Sequence, residues 1–189
     1  VKVYVTLNTL VFDREIPLLA KAIENCAKAD VDAFIVQDMG VARLSRQIVP
    51  ELPLHASTQM TVNSPEGAIM AKELGFTRVV LGRELSFAQI KAITESCDIE
   101  TELFVHGALC VCISGQCYMS SVLGGRSGNR GLCAQPCRLD FTSGDRHNVL
   151  SLKDLSLTEK LPELAKAGIT SFKIEGRMKR PEYVAGAVN

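Results

Sequence analysis

The chain has 189 residues, 47% of them hydrophobic and 22% charged, which is enough for one domain with a full core and ordinary for a globular protein. Lysine and arginine together number 21 and so do aspartate and glutamate, so no overall charge marks a polyanion or membrane partner, and any anion site must come from local clustering. No apolar run reaches the roughly 18 residues that a membrane span needs.

The opening stretch VKVYVTLN alternates as a strand does. It lacks the basic segment and the small-residue cleavage site of a signal peptide. It begins on Val1 rather than Met, which reads as a fragment that starts in mid-strand. IPLLAKAIENCAKA follows with Ile16, Leu19, Ala20, Ile23 and Ala27 on one helical face. VDAFIVQD is the next strand and VARLSRQIV the next helix. LPLHAST is a strand, and SPEGAIMAKELG a helix with Ser64 as its cap, Pro65 at its first position and Gly75 as its stop. TRVVLGREL is a strand, and SFAQIKAITES opens on a capping box from Ser86 to Gln89. ETELFVHGA is a fifth strand, LPELAKAG a short helix and ITSFKIEGR a sixth strand.

Short apolar strands separated by helices predict a parallel sheet. Polar residues fall late in each strand: Thr6 and Asn8, Gln37 and Asp38, His55 and Ser57, Arg83 and Glu84, His106, then Lys173, Glu175 and Arg177. An open sheet builds its site at one switch point, whereas a (β/α)8 barrel builds it from all the strand ends. The repeated pattern therefore predicts a partial TIM-like barrel of about six parallel βα units, residues 1–189, with an open α/β sheet as the alternative. Unpaired barrel edges beside Val1 and after Ile174 would invite a homodimer.

Residues 107–150 break the pattern with a Cys/Gly-rich segment, long for a connection inside a compact domain. Five of the seven cysteines fall there, and the absence of an export signal favours reduced thiols and a cytoplasmic location. The strongest four-thiol selection is Cys110, Cys117, Cys133 and Cys137, with gaps of six, 15 and three residues. None of these is a zinc-ribbon spacing. An iron–sulfur cluster tolerates varied spacing, so a cluster, a zinc ion and no metal all stay open on spacing alone. Cys112 alternates with Cys110 and reads as packing; Cys26 sits on a helical segment and reads as core, and Cys97, at a helix end, reads as a bystander.

ELFVHGALCVCISGQCYMSS resembles the signature of the collagenase-like peptidase family, classed among peptidases of unknown catalytic type. Its pattern is met by Glu102, Phe104, Gly107, Ala108, Leu109, Cys110, Gly115, Cys117 and Ser120. GNRGLCAQPCR and FKIEGRMKRPEYVAGAV resemble the family's next two blocks, and VYVTLNTLV, ASTQMTVNS and VVLGRELS its earlier strands. The resemblance implies a TIM-like barrel. It implies a relation to factors that hydroxylate an RNA base or the ubiquinone ring without oxygen, several with a [4Fe–4S] cluster. It implies that Cys110, Cys117 and Cys133 are cluster ligands, with Cys137 as the nearby fourth. The expected reaction is oxygen-independent hydroxylation of a tRNA or rRNA base, with proteolysis and quinone-ring hydroxylation as alternatives.

Around the thiols, Arg126, Arg130, Arg138 and Arg177 are candidates for gripping an anionic substrate, with Lys179 and Arg180 nearby. Glu175, His106 and His55 are the candidate catalytic groups. The chain has neither an H-E-x-x-H nor a G-x-S-x-G motif. A peptidase would need a Cys110–His106 pair, brought within reach by a turn at Gly107. His147 reads as a turn residue.

Overall fold

A computed structural model of the chain describes residues 1–176 and 179–189. In chain order the regular elements are β1 (Tyr4–Leu7), α1 (Ile16–Lys28), β2 (Ala33–Val36), α2 (Met39–Ile48), β3 (Leu54–Ala56), α3 (Pro65–Glu73), β4 (Arg78–Val80), α4 (Phe87–Ser96), β5 (Glu100–Gly107), α5 (Met119–Gly124), β6 (Leu155–Ser156), α6 (Leu161–Lys166), β7 (Ser171–Ile174) and α7 (Pro181–Val188). Each strand of the series β1-β2-β3-β4-β5 pairs in parallel with the next, and β7 continues the series on the other side of β5. These are the six parallel strands expected from the sequence, and they form a half-barrel with helices on its outside. The two-residue β6 is an addition that the sequence did not signal; it pairs antiparallel with the end of β5, opposite His106 and Gly107.

The caps explain where the helices begin. Ser64 accepts from the Gly67 amide at 3.2 Å, and Pro65 stands at the first position of α3. Ser86 and Gln89 form the reciprocal capping box of α4. Asp38 corrects one expectation. Read from the sequence as a polar strand end, it caps α2 by accepting from Gly40 at 2.7 Å and also accepts from the Val11 amide at 3.1 Å. Gly75, at φ +84°, provides the left-handed residue that ends α3.

Successive strand residues face opposite sides. Phe34, Val36, Leu54, Ala56, Val79, Leu81, Leu103 and Val105 share one buried cluster with Ile23 of α1, Val41 of α2, Ala68 of α3, Ile90 and Ile93 of α4 and Leu164 of α6. That is the core, between sheet and helices; Cys26 packs against it as expected, and Cys97 packs there too. Residues of the other parity line the lumen. No helix of the described residues is long and apolar enough to cross a membrane.

Candidate functional site

The lumen floor is charged and nearly closed. Glu102, 5% exposed, accepts from Lys173 at 2.7 Å, from Ser171 at 3.0 Å and from Arg78 at 3.3 Å. Burial pushes its carboxyl up, but Lys173, Ser171 and Arg78 outweigh burial and hold it below the ordinary value. Arg78 also pairs with Glu100 at 2.7 Å and lies 5.3 Å from the Tyr4 ring centre. His55, 4% exposed, stands edge-on to Tyr4 at 4.8 Å, and its Nδ1 has no hydrogen-bond partner among the described residues. Burial first, and Arg78 second, lower its pKa to about 4, so it is neutral at physiological pH. His55 therefore lies in mid-strand within this network.

Above the floor, the thiol segment docks on the strand ends through its glycines and serines. Gly107 takes φ +119°, and a Cβ there would lie 2.7 Å from the Cβ of Glu175. The turn after β5 thus depends on a bare backbone that lets Glu175 close in. Gly115, at φ +80°, presses on the 3-10 turn that follows β3; its Cβ would lie 2.5 Å from the Gln59 carbonyl. Beside it, the Ser114 hydroxyl donates to Glu84 at 2.8 Å and accepts from the Arg83 amide at 3.2 Å. Thr61 donates to the Ser114 carbonyl at 2.8 Å. The Gly-x-Cys spacing is thereby explained, since Gly115 anchors the turn and Cys117 follows it out of the anchor. Ser120, 4% exposed, accepts from the Ala134 amide at 2.9 Å and ties the Cys117 arm to the Cys133 arm.

The result is one cavity of about 730 Å³ at the C-terminal ends of the strands, lined by Cys110, Cys117, Cys133 and Cys137 together with Arg83 and Glu175. All seven cysteines are free thiols. Burial pushes the Cys110 thiol up, with Arg83 opposing it, and burial likewise raises Cys137 against Arg138. Among the described residues, no three His, Cys, Asp or Glu side chains gather closely enough to hold a single metal ion. Four thiols spread around one cavity are instead a donor set suited to a cluster with a separate ligand at each corner. The cationic side chains Arg83, Arg126, Arg138 and Lys179 on the same wall suit a bound anion of that kind. Cys112 does not line the cavity.

The other expected site residues divide. Arg126 and Arg138 line the cavity but are tied to backbone: Arg126 donates to the Leu132 carbonyl at 2.9 Å, and Arg138 to the carbonyls of Leu109, at 3.1 Å, and Leu152. Arg130 lies off the cavity wall, bonded to Glu15 at 2.9 Å and to the Leu10 carbonyl at 3.0 Å. It drives the Glu15 carboxyl down to about 2. His106 also lies off the wall; its Nδ1 meets the Tyr183 hydroxyl of α7 at 2.8 Å. Glu175 does line the cavity, and its partner is Arg83 at 3.7 Å; Lys173 is engaged by Glu102. Arg177 lies outside the described residues. Arg180 stands at the cap of α7, and His147 sits 3.2 Å from Asp140 near a turn. Arg83 and Tyr183 were not read as site residues. Arg83 carried a faint signal as a late polar residue after its strand, whereas Tyr183 reads as an ordinary helix residue.

The family model described as Peptidase family U32 matches residues 1–189. Among similar proteins, the 23S rRNA 5-hydroxycytidine synthase of Escherichia coli is 46% identical, over 97% of this chain and 29% of that protein. The tRNA hydroxylation protein P1 of Bacillus subtilis is 37% identical, over 100% of this chain and 48% of that protein. A collagenase of Porphyromonas gingivalis is 34% identical, over 97% and 49%. The chain thus spans about half, or less, of the length of these relatives. A solved structure described as a U32 peptidase superposes with a TM-score of 0.58 at 16% identity, over 95% of this chain and 72% of that one, a likeness of fold.

Proposed function

The chain belongs to peptidase family U32, and from that premise we propose that it is the thiol-bearing barrel portion of an enzyme that hydroxylates an RNA base without molecular oxygen. In this reading Cys110, Cys117, Cys133 and Cys137 hold a [4Fe–4S] cluster. The observation that carries it is the convergence of these four thiols, from a segment of 28 residues, on one cavity at the strand C-termini beside Arg83 and Glu175. The names of the E. coli and B. subtilis relatives support an RNA substrate.

When bound, such a cluster would pass electrons one at a time. The chain's own groups have separate tasks. Glu175 presents a carboxylate oxygen to the cavity, 3.7 Å from Arg83, where it can take up a proton released by the substrate. Arg126, Arg138 and Lys179 face the same space and meet the phosphates flanking a base turned out of its stack. His106, fixed by Tyr183, and His55, sealed in the floor, orient and insulate the site from below.

Proteolysis is the weaker reading of the site. A nucleophilic thiol needs a lowered pKa, and burial pushes Cys110 the other way. His106 has its Nδ1 engaged by Tyr183 and does not line the cavity.

Anaerobic purification with iron and sulfide analysis tests the cofactor, with four irons and four sulfides per chain expected, falling to background in Cys117→Ala; stoichiometric zinc refutes it. Mass spectrometry of nucleosides from cells lacking the full-length gene tests the substrate. A hydroxylated nucleoside should vanish, returning with the parent gene but not with Cys117→Ala. An unchanged nucleoside profile, with gelatin cleavage abolished by Cys110→Ala, assigns the site to proteolysis.

A further inference from the structure

Arg83 is held more tightly than a solvated loop arginine. Its Nη1 donates to the carbonyl of Ala108, two residues before Cys110, at 2.8 Å. Its guanidinium carbon lies 4.2 Å from the Phe104 ring centre. Its Nη2 is 3.7 Å from Glu175 Oε2, and its backbone amide donates to Ser114. The Nε is buried and has no hydrogen-bond partner among the described residues, which packing alone leaves unexplained. The Arg83 side chain is 15% exposed and that of Glu175 28%, so neither charge is fully screened by water. Both line the cavity with all four thiols. At 3.7 Å the pair is loose, so each charge keeps its own reach into the cavity. Of the other cations on the wall, Lys179 and Arg138 share Asp154, at 3.0 Å and 3.6 Å, and Arg126 donates to the Leu132 carbonyl.

We infer that Arg83 and Glu175 are an opposed pair of positioning residues that sets the reduction potential of the group held by the four thiols, Arg83 raising it and Glu175 lowering it. The inference rests on reading those thiols as cluster ligands. Reduction adds one negative charge to the cavity. A fixed cation beside it favours the reduced form and a fixed anion disfavours it. Removal of each partner must then move the potential in opposite directions. A merely structural role for the pair predicts no such opposition, since loosening the wall from either side lets in the same water.

The test is an anaerobic spectroelectrochemical titration of the chain reconstituted with iron and sulfide, comparing the parent with Arg83→Gln, Arg83→Lys and Glu175→Gln. Arg83→Gln should favour the oxidised form about tenfold and Glu175→Gln the reduced form about tenfold, each about 59 mV for one electron. Arg83→Lys, which keeps the charge, should stay within about threefold of the parent, a bound set by that same scale. Equal potentials, or shifts of the same sign, overturn the inference while leaving the cluster assignment standing. If Arg83→Gln fails to assemble, Glu175→Gln decides alone: a rise supports the pair, and no change or a fall refutes it. A parent chain that takes up no iron and sulfide overturns the reading of the thiols, and the pair with it.

Discussion

The two faces of the sheet come from alternate residues of the same strands, yet different forces hold them. The outer face is a continuous apolar layer in which Phe34, Val36, Ala56 and Val79 are fully buried against helices. The inner face sets polar groups among apolar ones such as Ile35, Val80 and Phe104: Tyr4, His55, Arg78, Glu102 and Lys173 below, Arg83, Glu175 and the thiols above. Burial of apolar area is non-directional and tolerates variation in detail. A buried polar network is directional, and each member depends on its partners. The outer face therefore supplies stability, and the inner face carries the charges and thiols, at a stability that depends on pH.

The largest effect should come from the outer face. Phe34→Ala removes a side chain with no exposed surface and should cost about 3–5 kcal/mol, read as a lower midpoint in urea unfolding. A loss below about 1 kcal/mol would mean that the outer layer is not the main support. The inner face should appear next, in the pH profile. His55 has a folded pKa of about 4 against an ordinary 6.5, so the unfolded chain binds more protons between those values. Stability should thus fall as pH drops from 6.5 towards 4, by about 3 kcal/mol, and His55→Asn should flatten that slope. Glu102, held below its ordinary 4.5, has the same sign in a lower window: its contribution is present above 4.5 and is lost as pH falls through the folded value. A slope unchanged in His55→Asn would reassign the acid sensitivity to the carboxylates.

The rim should respond locally. Gly115→Ala sets a Cβ 2.5 Å from the Gln59 carbonyl at φ +80° and should weaken docking of the thiol segment by about 1–3 kcal/mol. Hydrogen exchange in residues 110–137 should quicken and Cys117 alkylate faster, while the urea midpoint of the core barely moves. A global shift equal to the local one would show that segment and barrel unfold as one unit. The smallest effect is expected on the solvent side of α4. Lys91 and Glu95 are 3.7 Å apart and mostly exposed, and Lys91→Ala should change stability by less than about 0.5 kcal/mol in the same unfolding assay.

Most of the framework was legible in the sequence. Hydrophobic period, Ser64 and Ser86 as caps, and Pro65 and Gly75 as helix boundaries are local signals, carried by residues within a turn of one another. They fixed the strand and helix series and the parallel arrangement. Gly115 and Ser120 belonged to a recognisable pattern, and the structure supplies the reason: one presses on Gln59 and the other ties Ala134. Asp38 was misread because strand end and helix cap are adjacent positions, and a short acidic side chain serves either.

By itself the sequence determined the half-barrel and the four thiols as a group within one segment after β5. Only the tertiary structure decided which charges stand with the thiols. Arg83 meets Glu175 across 92 residues of chain, Lys173 is drawn away to Glu102, Arg130 is spent on Glu15, and His106 meets Tyr183. Those partnerships depend on strand order, on which parity faces the lumen and on where glycines let backbone approach. A charged side chain carries no period that announces its partner, because an ion pair is set by distance in space and distance along the chain says nothing of it.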